Sequence, residues 1–139
     1  MVRRFLAFFQ GAVQLFAGLS ALIGGAALTL APDGSILGMP LELLRGTPFP
    51  DYLVPGLVLM LVVGGSNTLA GMWIFSGNPR AGRTGVAAGL ILTGWIAVQI
   101  ILIGYQHPIQ LVYAVAGILG LILGLPAHPA GRRLTPRQA

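Results

Sequence analysis

Polar residues fall in bands along the chain, and four long apolar runs lie between them. The runs cover about Phe5–Leu30, Tyr52–Phe75, Thr84–Ile103 and Pro108–Leu125. A helix rises about 1.5 Å per residue, so a hydrocarbon core of about 30 Å takes roughly 20 apolar residues. The first three runs reach that length and the fourth comes close. Pro108 stands where a first helical turn tolerates proline, and Pro126 stops the fourth run. No Asp, Glu, Lys or Arg falls inside any run. The pattern predicts an all-α fold: a transmembrane four-helix bundle forming one integral membrane domain over 1–139. Arg3 and Arg4 before the first run resemble the start of a secretory signal. The apolar core of such a signal is only about 7–15 residues long, so the first run is read as a retained span.

Composition strengthens this reading. Of 139 residues, 55% are hydrophobic and 8% charged, and mean hydropathy is +0.86. A soluble domain carries about 25% charged residues and cannot hide so much apolar surface at this size. Cysteine is absent, which excludes disulfide and thiolate chemistry. The basic charges are eight arginines, giving a net +5 against three acids. Arg3 and Arg4 precede the first span, Arg80 and Arg83 separate the second and third, and Arg132, Arg133 and Arg137 follow the fourth. Four spans put these groups on one side, and basic residues mark the cytoplasmic side. The expected topology is N-in and C-in, with membrane lipids as partners and no nucleic acid.

Small residues recur every fourth position. They are Ala81, Gly85, Gly89, Thr93 and Ala97 in the third span, and Ala116, Gly120 and Gly124 in the fourth. The first span adds Ala17, Ala21 and Gly25. Such stripes form grooves that admit a second helix closely, within the chain or between chains. A homo-oligomer or a larger membrane complex follows as an expectation. Polar side chains form layers. Gln10 and Gln14 lie at the depth of Ser66, Asn67 and Thr68, while Gln99, Gln110 and Tyr113 form a layer near the outer surface. Amides in lipid need partners, so these are read as facing inward, either to fix helix register or to line a ligand cavity. Trp73, Tyr52, Tyr105 and Tyr113 read as interfacial belt residues, and Trp95 as packed within the bundle.

The loop Ala31–Asp51 holds every acid: Asp33, Glu42 and Asp51, each nine residues from the next. Pro32-Asp33-Gly34 is a turn signal. Pro40–Arg45 predicts a short interfacial helix with Pro40 at its first position, Gly46 at its stop, and Leu41 and Leu44 on one face. Asp51 is placed to cap the second span. The spacing of the acids matches no calcium loop, and catalysis would need the loop to bring two of them together. His107 and His128, on opposite sides of the membrane, cannot ligate one haem. No triad, phosphate loop or metal motif is present, and no metal or other cofactor is expected. Proton-coupled transport usually uses an intramembrane charge, which these spans lack.

The runs Pro32-Asp33-Gly34-Ser35, Leu37-Gly38-Met39-Pro40, Phe49-Pro50-Asp51-Tyr52, Val54-Pro55-Gly56 and Trp95-Ile96-Ala97-Val98-Gln99 resemble a group of small bacterial four-span membrane proteins, similar in outline to the DoxX-like set. The resemblance implies the same fold and membrane location, and by name an accessory role beside oxidases. It transfers no catalytic residue. The expected function is a non-enzymatic accessory or interaction subunit. The alternative is a small-molecule or lipid binder or transporter built on the polar layers.

Overall fold

The computed structural model describes residues 1–124, and these are helical apart from their loops. Helix α1 spans Val2–Leu30. A short 3-10 helix, Leu41–Leu44, lies in the following loop. The next long helix is continuous from Leu53 to Phe75 but has three parts: α2 (Leu53–Val58), a π-helical segment (Leu59–Gly64) and α3 (Gly65–Phe75). Helix α4 spans Ala81–Ile103 and α5 spans Pro108–Gly124. Arg132, Arg133, Arg137, His128 and Pro126 lie outside the described residues.

Three helices, Val2–Leu30, Leu53–Phe75 and Ala81–Ile103, are long and apolar enough to cross a membrane, and α5 is a shorter apolar helix. Their outer faces carry large hydrophobic side chains: Phe16, Ile23, Leu61, Leu90, Ile101 and Ile122 are each more than half exposed. A soluble monomer rarely exposes such a continuous surface, whereas lipid accepts it.

Each long helix packs on two main neighbours. Helix α1 lies against the Leu53–Phe75 helix and α5, and α4 lies against α5 and α3. The interior is built from small and medium residues: Ala17, Ala21, Val63, Leu92, Ile96 and Ala116. On α1, Gly11, Gly18 and Gly25 are seven apart and share a face. A methyl at Gly18 would overlap the Thr68 backbone, and one at Gly25 would lie 2.5 Å from Met60 N. Gly56, Gly64 and Gly71 answer from the partner helix, against Leu28, Leu22 and Leu15. Gly64 and Gly71 are also seven apart, but Gly56 and Gly64 are eight apart. The π segment lies across that longer interval. A π turn absorbs one extra residue, so it returns Gly64 to the face Gly56 occupies. Without it, eight residues of α-helix would rotate Gly64 about 80° off that face.

The loop Ala31–Asp51 is ordered. Gly34 N–H donates to Ala31 O (2.9 Å), closing the predicted turn, and Met39 N–H donates to Gly34 O (2.9 Å). Gly34 has φ +78°, and a methyl there would strike Met39 O. The short helix starts one residue later than expected, with Pro40 as its extended N-cap. Leu44 turns into a small core with Leu28 and Tyr52, while Leu41 stays exposed rather than sharing that face.

Candidate functional site

The first candidate is the row of buried amides between α1 and its neighbours. Gln10, Gln14 and Asn67 are each at most 3% exposed. Gln10 Nε2 donates to Gly120 O (3.2 Å) and Gln14 Nε2 to Gly85 O (2.8 Å). Asn67 Nδ2 donates to Val63 O (3.0 Å) within its own helix and to Ala88 O (3.3 Å) across to α4. Glycine makes room for these amides. A methyl at Gly85 would lie 2.6 Å from Gln10 Nε2, one at Gly120 would lie 3.0 Å from Gln14 Nε2, and one at Gly124 would lie 3.2 Å from Gln10 Nε2. The small-residue stripe and the polar layer are therefore one feature, the stripe forming the socket for the amides. Gln14 Oε1 and Asn67 Oδ1 are buried and have no hydrogen-bond partner among the described residues.

The remaining stripe residues divide. A methyl at Gly89 would lie 2.6 Å from Leu121 N and 2.8 Å from Gly117 O, so α4 and α5 meet backbone to backbone there. Thr93 stands against Gly117, which the fourfold spacing did not select, and donates its hydroxyl to Gly89 O. Ala116 joins the core. Ala81 is half-buried, and Ala97 is exposed where the stripe reading expects a packed position. Gly85, Gly89, Gly117, Gly120 and Gly124 are each filled from within the chain.

Gln99, Gln110 and Tyr113 make no hydrogen bond to one another among the described residues. Gln110 Oε1 accepts from the Gln106 and His107 backbone N–H groups (2.7 and 3.3 Å), so this amide closes the α4–α5 turn. The Tyr113 hydroxyl donates to Ser20 Oγ on α1 (2.6 Å). Gln99 is half-buried on a different face of α4. His107 Nδ1 accepts from Ile109 N–H (3.2 Å), a local turn contact.

The second candidate is the loop. Tyr52 is 2% exposed and its hydroxyl donates to Pro40 O (2.8 Å), which corrects its reading as an interfacial residue. Tyr52 N–H also donates to Pro32 O (2.9 Å), so one residue ties both ends of the loop. Asp51, one position before the Tyr52 N-cap, accepts through Oδ1 from the N–H of Leu53, the first residue of α2 (2.9 Å). Asp33 Oδ1 accepts from Ser35 N–H (3.0 Å). The Ser35 hydrogen bonds hold the Asp33 carboxyl below its usual range. A carboxyl depressed in the folded state strengthens the turn above its ordinary range and loses that support as pH falls through the lowered value. Asp33 and Glu42 are exposed and Asp51 half-buried. Asp33 and Asp51 each serve a separate turn rather than a shared centre. Among the described residues no group of three His, Cys, Asp or Glu side chains could hold a metal ion.

A cavity of about 100 Å³ lies beneath the loop. Leu44 and Phe49 roof it, and Val58 of α2 and Trp95, Val98 and Gln99 of α4 wall it. Compared with protein-family models, curated proteins and solved structures, the chain matches none.

Proposed function

We propose that this chain is a small non-enzymatic membrane protein, an accessory or interaction subunit that engages its partner through the ordered loop Ala31–Asp51. The carrying observation is the loop's construction. Tyr52 is buried to hold it, while Asp33, Glu42 and Arg45 are left exposed beside exposed Ile36, Leu37 and Leu41. A loop of this length held rigidly, with a mixed charged and apolar outer face, suits recognition better than solvation. The spans carry no charge, and Asp33 and Asp51 each accept from a local backbone N–H, which leaves Glu42 without a second carboxylate for acid–base work. The arginines support a four-helix topology in a bacterial cytoplasmic membrane with the loop outside. The resemblance to small four-span proteins of the DoxX-like kind favours the same architecture.

Transport through the polar layers has less support. Gln10, Gln14 and Asn67 donate to backbone carbonyls of packed helices, and Gln99, Gln110 and Tyr113 do not hydrogen-bond to one another. In-cell photocrosslinking tests the interaction reading. A photoreactive residue at Ile36 or Leu41 is expected to give one discrete protein adduct, and the same residue at lipid-facing Ile101 none. Equal labelling at all three positions, or no protein adduct from the loop, would sink the reading.

A further inference from the structure

We infer that the cavity beneath the loop is a site for one acyl chain of a bilayer phospholipid. Helices α2 and α4 form its two walls, yet they make no close backbone contact with each other. Elsewhere, α1 meets the Leu53–Phe75 helix, and α4 meets α5, at glycines. Here Val54, Val58, Val98 and Leu102 face across a gap. Val54 and Val98 are about half exposed, so the gap opens sideways, toward the region lipid tails occupy. The loop closes the end, through Leu44 and Phe49.

Size selects the occupant. An engineered apolar cavity of about 150 Å³ holds benzene. This cavity of about 100 Å³ accepts a stretch of one hydrocarbon chain but no helix, which is about 10 Å across. An apolar void beside liquid hydrocarbon does not stay empty. Filling it restores dispersion contacts to the lining atoms and requires no desolvation of polar groups. The lining also discriminates in polarity. The Tyr52 and Thr47 hydroxyls are committed to Pro40 O and Leu44 O. The Gln99 amide makes no hydrogen bond within the described residues. It lies midway along the α4 wall of the cavity, which runs from Trp95 to Ile103.

The site rests on the membrane reading and is independent of any loop partner. Trp95 lines the cavity, and the chain has only one other tryptophan, Trp73. The full chain carrying Trp73→Phe, reconstituted in phosphatidylcholine vesicles with brominated acyl chains, reports the occupant through Trp95 emission. Expected is quenching of more than half relative to unbrominated vesicles, reduced at least twofold by Val58→Phe or Val98→Phe and unchanged by Leu61→Phe on an outer face. Unquenched Trp95, or quenching that the two filling variants leave unaltered, overturns the site. If the filling variants do not fold, diazirine-tailed phosphatidylcholine and the unaltered chain decide the matter. Adducts concentrated on Val54–Val58 and Val98–Leu102 support the site, and adducts spread evenly around the helices overturn it. A high yield of disulfide-linked dimer from Val98→Cys would assign the gap to a second copy and also overturn it. Failure to reconstitute at all refutes the membrane reading, whereas the outcomes above bear on the cavity alone.

Discussion

Tyr52 concentrates the loop's order in one side chain. Its ring fills the small core with Leu28 and Leu44, and its hydroxyl reaches twelve positions back to Pro40 O. Phenylalanine would keep the packing and leave the Pro40 carbonyl without its donor. A net loss of about 1 kcal/mol follows for one neutral hydrogen bond, more if water cannot reach the carbonyl. Tyr52→Phe is therefore expected to raise hydrogen exchange of the loop amides Met39–Thr47 roughly fivefold while leaving exchange in α4 at the parental rate. Equal exchange in loop and helix would show that the hydroxyl does not hold the loop. The amides Gln10, Gln14 and Asn67 act differently. Each joins two helices through one backbone carbonyl, a contact worth about 0.6 kcal/mol on average in lipid, so they set register more than they set stability.

At the scale of the element, the π segment and the glycine spacing explain each other. Gly11, Gly18 and Gly25 keep a seven-residue repeat, and the partner helix keeps it from Gly64 to Gly71 but has one residue more from Gly56 to Gly64. Deleting Leu61, an exposed residue inside the π segment, restores a seven-residue interval. The expected product is a regular α-helix with the same glycine face and a detergent unfolding midpoint close to the parent. Deleting exposed Leu69 instead shortens a correct interval to six and turns Gly71 away from Leu15, with a loss of about 1–3 kcal/mol or more from overpacking. Equal damage from both deletions would reject the register argument. The apolar runs made the helices legible in the sequence to within about three residues, because uninterrupted hydrophobicity needs no tertiary information. The face each residue occupies was less legible. In lipid both the inner and the outer face are apolar, so periodicity does not separate Ala97, which is exposed, from Gly89, which meets a neighbouring backbone. Tyr52 was misplaced for a related reason: its burial depends on a loop folding back over it, which no local pattern encodes. The cavity beside Trp95 was not legible at all, since it arises from a missing contact between α2 and α4.

Across the whole molecule, charge is sorted along the helix axes. Helix α1 enters with Arg3 and Arg4 at the end where Phe8 meets Phe75 (ring centroids 5.5 Å apart), so Arg80 and Arg83, just beyond α3, lie at that same end. The loop with Asp33, Glu42 and Asp51 lies at the opposite end, where Leu28 and Ile103 approach each other through the Tyr52 cluster. Arginines next to short loops fix orientation because they are retained on the cytoplasmic side, whereas acids contribute little. The absence of cysteine makes the chain a ready background for testing this. Ser35→Cys, in the exposed loop, is expected to react with a membrane-impermeant maleimide in intact cells. Ser76→Cys, exposed at the arginine end, should react only after the membrane is opened. The reverse pattern would invert the topology, and reaction of both in intact cells would mean that neither orientation dominates. Replacing Arg80 and Arg83 with Asn in the Ser76→Cys background removes half of the described arginines at that end. Labelling of Ser76→Cys in intact cells should then rise, because the remaining bias rests on Arg3, Arg4, Arg132, Arg133 and Arg137.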